Sequence, residues 1–165
     1  MTILRQILLA ISLMTFAQVS AQSVKYTYKP LAAEGCRVEY SAIWQEGTPY
    51  IVVVVSSDRL AFNDTPTMLI RLFNGELLKL NGKAITSSSE HGGVVVGNVV
   101  VPTTELRVTA QFSITKEQVE MLQNGVAKIR ISTIPLIHER TFKKDKIGKE
   151  LHTYFKKGAI SEDSF

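Results

Sequence analysis

A single cysteine, Cys36, occurs among the 165 residues, and this scarcity sets the first limit on the protein. One cysteine cannot form an intramolecular disulfide, so the chain has to rely on a buried apolar core for its stability. We expect Cys36 to be a small hydrophobic residue of that core, with an intermolecular bridge as the alternative.

Histidine is also scarce, and the familiar catalytic motifs are missing. None of the three histidines has a second histidine or a cysteine at ligand spacing, so no metal site and no cofactor are predicted. Gly-x-Ser-x-Gly and Gly-rich phosphate loops are absent too. His91 follows three serines, but catalytic partners are defined by position in space, and a Ser-rich loop explains the same residues.

The first 21 residues have the order of a secretory signal. Arg5 forms a short basic region, residues 7–17 are mostly apolar, and residues 19–21 are small enough for a signal peptidase. The apolar stretch is shorter than the roughly 20 residues that span a bilayer, and no later segment is long and apolar enough. We predict cleavage after Ala21 and export, to the periplasm or the cell exterior, without a transmembrane segment.

Residues 22–165 have the size of one domain. The whole chain carries an excess of four positive charges, and removal of Arg5 lowers this excess by one. So mild an excess does not indicate nucleic acid as a partner, and export argues against it as well.

Short apolar runs with period two dominate the mature chain. Residues 36–44 and 105–114 alternate between apolar and polar side chains, which predicts half-buried strands. Residues 50–55 form a continuous apolar run that is β-branched from Ile51 onward, which also favours a strand. Two Asn-Gly pairs, at 74–75 and 81–82, suit tight turns and predict a three-stranded meander over 67–87.

A Ser- and Gly-rich loop is predicted over 87–93, before the apolar run 94–101. Gly97-Asn98 is interpreted as a bulge or a further turn within that run. The run is low in charge and strongly β-prone. At an exposed sheet edge it would invite strand addition by another chain.

Two helices are predicted near the C-terminus. Thr115 and Gln118 fit a capping box, and Gly125 suits the end of the short helix that follows. A basic amphipathic helix is predicted over about 143–157, with Gly158 as its stop. Together these elements predict a mainly β domain: an antiparallel β-sandwich or open barrel of about nine strands, one short helix and a C-terminal helix.

Two features are candidate binding sites. Trp44 and Tyr50 lie near strand ends, where aromatic side chains often stack on sugars or contact partners; for Trp44 the core is the alternative. The predicted C-terminal helix carries six lysines against two acidic residues, which would suit an acidic surface. The alternative is a docked helix whose lysines face water. These lysines are Lys143, Lys144, Lys146, Lys149, Lys156 and Lys157.

The stretch from Phe112 to Ile131 resembles a pattern in small exported bacterial proteins of unknown function. In that pattern a strand leads into a short helix with the sequence Ile-Thr-x-Glu-Gln, followed by a glycine and a Lys-x-Arg strand, as at 114–118, Gly125 and 128–130 here. The resemblance implies an envelope protein and includes no catalytic residue.

The expected function is therefore an envelope-associated binding or structural module. Its partners would be an anionic envelope component, a glycan or another exported protein. One alternative is a hydrolase of an envelope or extracellular polymer, with carboxylates brought together by the fold. The other is an inhibitor or assembly partner that binds another exported protein through an edge strand.

Overall fold

The computed structural model describes residues 22–27 and 36–162. The predicted signal sequence and its cleavage site lie outside these residues. The described chain contains ten strands, two α-helices and a 3-10 turn. The strands are β1 (Gln22–Thr27), β2 (Arg37–Gln45), β3 (Thr48–Ser57), β4 (Ala61–Phe62), β5 (Thr67–Leu72), β6 (Leu77–Val96), β7 (Val99–Ser113), β8 (Val126–Ile131), β9 (Thr133–Ile134) and β10 (His138–Thr141). The helices are α1 (Lys116–Met121), followed by the 3-10 turn Leu122–Asn124, and α2 (Gly148–Glu162).

Eight strands form one antiparallel sheet in the order β1-β2-β3-β7-β6-β5-β8-β10, and β4 pairs separately with β9. Strands β1 and β10 are the two edges of the large sheet, so within the described residues the sheet is not closed into a barrel. The predicted mainly β, antiparallel fold with one short and one C-terminal helix is confirmed.

Strand β6 joins two halves of the large sheet. Its residues 77–81 pair with β5, whereas residues 82–96 pair with β7. Buried side chains of both halves belong to a single hydrophobic cluster, as Phe112 of β7 and Ile70 of β5 illustrate. A core shared between two β layers is what the predicted sandwich requires.

The predicted meander is wrong at its second turn, because Asn81-Gly82 lies inside the continuous strand β6. Gly82 has no positive φ. A Cβ on Gly82 would lie 2.6 Å from Cδ1 of Phe112 and 2.9 Å from the carbonyl oxygen of Gln111. Glycine is required here because β6 passes close to Phe112 at the point where it changes partner. The first pair does turn the chain, with Gly75 at φ 92°.

The predicted loop over 87–93 is also wrong. These residues continue β6 and pair with residues 102–108 of β7. The chain turns only at Gly97-Asn98, where Gly97 has φ 62°. A Gly-Asn pair with positive φ at the glycine alone is typical of a type II′ hairpin turn.

The short helix has the predicted caps. The amide of Gln118 donates to Oγ1 of Thr115 over 3.2 Å, and the amide of Thr115 donates to Oε1 of Gln118 over 3.0 Å. Gly125, at φ 74°, caps the 3-10 turn that follows the helix. The capping box is confirmed.

The C-terminal helix differs from its predicted bounds at both ends. It begins at Gly148 and runs through Gly158 to Glu162, whereas the prediction placed it over about 143–157. The start is displaced because the Asp145 carboxylate accepts hydrogen bonds from the amides of Ile147, Gly148 and Lys149, and so organises a turn before the helix.

Cys36 is fully buried within the hydrophobic cluster. The prediction of a buried cysteine is confirmed. Among the described residues, no helix has both the length and the apolar character needed to cross a membrane.

Candidate functional site

Trp44 connects β2 to the C-terminal helix. Its Nε1 donates to the carbonyl oxygen of Phe155 over 3.0 Å, and the two rings meet edge to face with centroids 6.2 Å apart. The Nζ of Lys116 lies 5.8 Å from the centroid of the indole ring. The structure therefore places Trp44 at a packing contact between secondary-structure elements, and its role in ligand binding stays a prediction.

The six candidate lysines are exposed but do not form one helical face. Lys143, Lys144 and Lys146 precede the helix, in the turn around Asp145. Within α2, Lys156 forms an ion pair with Glu120, next to the contact between His152 and the same carboxylate. The helix begins only at Gly148, so three of the six lysines lie outside it. An electrostatic role for these lysines stays a prediction.

Tyr50 lines a cleft of about 460 Å³ on the outward face of β2, β3, β7 and β6. The lining contains mostly residues with polar side chains. It consists of Gln45, Glu46, Thr48, Tyr50, Asn81, Gly82, Lys83, Gln111 and Ser113. The cleft lies beside the position where β6 changes partner, and Tyr50 is its single aromatic residue.

Strand register places the polar side chains of this cleft side by side. Tyr50 is opposite Ser113, and Lys83 is opposite Gln111, so both pairs occupy the same face. Nε2 of Gln111 donates to Oε1 of Gln45 over 3.3 Å. This contact orients two amides while leaving the Gln45 amide nitrogen and the Gln111 carbonyl oxygen available for a ligand.

The turn between β2 and β3 brings Glu46 to the cleft. Glu46 is the one non-glycine residue with positive φ in the described chain, at 50°, and Gly47 follows at 72°. Two successive positive φ angles form a type I′ turn, whose first position favours Asn or Asp. Glutamate is therefore strained at this position.

Strands β6 and β7 extend beyond the rest of the sheet as a two-stranded ribbon, which we call the arm (residues 86–96 and 99–105). Pairing of β7 with β3 stops at Leu106, and pairing of β6 with β5 stops at Asn81. Over the arm, no other strand of the described chain pairs with either outer edge. The tip is apolar and open to solvent: Val95, Val99 and Val100 are 69%, 63% and 65% exposed.

His138, which is buried, and Asp145, which is half-buried, lie away from the cleft and the arm. Burial, assisted by the charge of Arg140, lowers the pKa of His138 to about 4, so the imidazole is neutral near pH 7. Partial burial raises the pKa of Asp145, but hydrogen bonds from four backbone amides outweigh this effect and lower it overall. The Asp145 carboxylate organises the local backbone at the start of α2. No group of His, Cys, Asp and Glu suited to a metal ion occurs in the described part of the chain.

Comparison with known proteins found no matching family model, curated protein or solved structure. The candidate sites therefore rest on the geometry of this chain.

Sequence reasoning named Tyr50 and the apolar run 94–101 as candidates. It missed Gln45, Asn81 and Gln111, because isolated amide residues on separate strands give no local signal. Their common feature is an outward position on adjacent strands, which becomes visible only once the register of β2, β7 and β6 is known.

Proposed function

We propose that the protein is an exported binding module of the cell envelope that takes up an extended segment of another exported protein by strand addition along the arm. The observation that carries the proposal is the arm itself: within the described chain, residues 86–96 pair only with β7 and residues 99–105 only with β6. The signal sequence predicted at residues 1–21 supports the location.

An isolated two-stranded ribbon is at best marginally stable in water, because it can bury little apolar surface. Natural edge strands are commonly protected by charges, prolines or bulges. The apolar tip has none of these within 94–96 or 99–101. A third strand would add hydrogen bonds along the ribbon and cover exposed valine side chains, so the arm gains stability when a partner strand is added.

The outer edge of β6 is the better acceptor. In a two-residue hairpin the residues flanking the turn exchange hydrogen bonds, so Val96 and Val99 form a hydrogen-bonded pair. The next pair, Val95 and Val100, directs its backbone groups outward. Two residues further along β7, the outward amide is missing at Pro102. The corresponding edge of β6 has no proline.

The charged and apolar residues of the arm indicate which residue types a partner strand needs. Glu90 and Glu105 lie directly opposite each other in the register, and both are exposed. Like charges in this position repel each other. A partner strand with an apolar run and a Lys or Arg beside Glu90 would satisfy both the valine tip and the carboxylate pair.

Site-specific photo-crosslinking in the native host tests this proposal, with a photoreactive residue at exposed Ser89. The wild-type chain is expected to give a discrete protein adduct. Val95→Pro removes one outward amide without breaking the arm's own hydrogen bonds and should abolish the adduct. Val95→Thr, which keeps the amide and the β-branch, should retain it.

The crosslinked segment provides the second readout. A synthetic peptide of that segment should bind the purified protein, and Glu90→Lys should weaken the binding. An adduct that survives Val95→Pro, the absence of any adduct, or binding of the tip to lipid vesicles irrespective of Val95→Pro would overturn the proposal.

A further inference from the structure

We infer that the Tyr50 cleft is a binding site for a neutral saccharide. This site is separate from the arm and does not depend on the proposed strand addition. The inference rests on the composition, charge and geometry of the cleft described above.

The hydrogen-bonding groups of the cleft match sugar hydroxyls. Each hydroxyl both donates and accepts, and so do the side-chain amides of Gln45, Asn81 and Gln111. The amide contact between Gln111 and Gln45 holds two of these groups in place before a ligand arrives. Such preorganisation reduces the entropy cost of binding.

Tyr50 provides the apolar part of the site. The carbon-bound hydrogens of a pyranose ring form a flat apolar patch, and an aromatic ring beside a sheet is a suitable surface for it. Tyr50 is half-buried and lies opposite Ser113 in the register, so its ring is held by neighbouring strands while part of it faces the cleft. A volume of about 460 Å³ accommodates one or two sugar rings.

The charge of the cleft favours a neutral ligand over an anion. Glu46 and Lys83 are its two charged residues, and they balance each other. Among the described residues neither has an ion-pair partner, so both remain available to accept or donate hydrogen bonds. A phosphate or carboxylate ligand would meet the Glu46 carboxylate.

The positive φ of Glu46 agrees with a functional role for its side chain. Asn at this position would fit the type I′ turn with less strain, so glutamate is a costly choice for the turn alone. Residues in strained conformations concentrate at functional sites. Acceptance of hydrogen bonds from two sugar hydroxyls by the carboxylate would explain why glutamate occupies this strained position.

Backbone amide NMR shifts of the purified full-length gene product, titrated with N,N′-diacetylchitobiose and with maltose, test the inference. Shifts are expected at residues 45–50, 81–83 and 111–113 for at least one disaccharide, and not for inorganic phosphate. Tyr50→Ala and Gln111→Ala should each weaken binding by about tenfold. Arg37→Gln, at the far end of β2 on the same sheet, is the matched control and should change the affinity less than about twofold.

Glu46→Asn separates ligand binding from folding. It should raise Tm by about 2–4 °C because it relieves the turn, and it should weaken saccharide binding. The inference is overturned if neither disaccharide shifts the cleft amides, if phosphate does so instead, or if Tyr50→Ala and Glu46→Asn leave the affinity unchanged.

Discussion

Gly158 lies directly against the indole of Trp44: a Cβ on this glycine would come within 2.6 Å of Cδ1 of the ring. Three residues earlier, the carbonyl oxygen of Phe155 accepts the indole hydrogen bond. Trp44 therefore fixes the C-terminal helix to β2 at two points of the same turn. Glycine occupies position 158 because it lets the helix approach the ring, although the sequence pattern predicts that it ends the helix.

Gly158→Ala should lower the free energy of unfolding by about 1–3 kcal/mol, because the added methyl group displaces the indole and breaks its hydrogen bond. The sign is diagnostic, since the same change at an unconstrained helix position normally stabilises by about 1 kcal/mol. Urea unfolding followed by Trp44 fluorescence measures the effect. Lys157→Ala is the matched control, and an unchanged or higher midpoint for Gly158→Ala would contradict the contact.

Asp145→Asn should destabilise the protein by about 1–3 kcal/mol at pH 7, because the carboxylate accepts hydrogen bonds from Val126 and from three amides at the start of α2. The pKa of Asp145 is lowered in the folded state, so its contribution is complete above the ordinary value of 3.8 and is lost as the pH falls through the lower folded value. Urea unfolding of both proteins at pH 7 and at pH 3 tests this. A gap in stability that does not narrow at the lower pH would show that the charge is unimportant.

His138 should make the protein less stable in mild acid. Burial lowers its pKa from 6.5 to about 4, so its contribution to stability is complete above pH 6.5 and is lost as the pH falls to about 4. The full loss is about 3 kcal/mol on the basis of this shift. His138→Gln removes the titration, and its thermal midpoint should fall less than that of the wild type between pH 7 and pH 4.5. Parallel pH profiles would rule out this role.

Cys36 should be inert to thiol reagents in the folded protein. Burial, followed in importance by the nearby charge of Asp58, raises its pKa to about 11, and the thiolate is the reactive form. Reaction with a chromogenic disulfide should be undetectable near pH 8 and immediate in guanidinium chloride. Rapid modification under native conditions would show that the residue is accessible.

The local signals of this sequence predicted the elements well. Alternation over 36–44 and 105–114 identified strands β2 and β7, and the capping residues Thr115 and Gln118 identified α1. These patterns depend on neighbours in the chain, so they are readable without the fold. The same reading accounts for the burial of Cys36.

Tertiary context decided the remaining elements. Asn81-Gly82 has the composition of a turn. Position 82 nevertheless requires glycine because the ring of Phe112, a residue 30 positions away, leaves no room for a Cβ. Gly158 is likewise required by its close contact with the indole of Trp44. The Ser-rich stretch 87–93 is polar because both faces of the ribbon meet water, and polarity alone does not distinguish such a strand from a loop. The residues of the Tyr50 cleft come from four strands and one turn, so the cleft could not be predicted before the register of these strands was known.

Strand β6 runs from the shared core to the end of the arm, with one register shift against β7 between Ala84 and Thr86, and β7 returns along the same path. A force on the tip, directed along the strands, would therefore act parallel to the strands at the pairing of β7 with β3. The hydrogen bonds of that pairing would all be loaded at once. A sideways pull would instead open the ribbon one pair at a time. We therefore expect the arm to resist a pull along its strands more than a sideways pull of the same size.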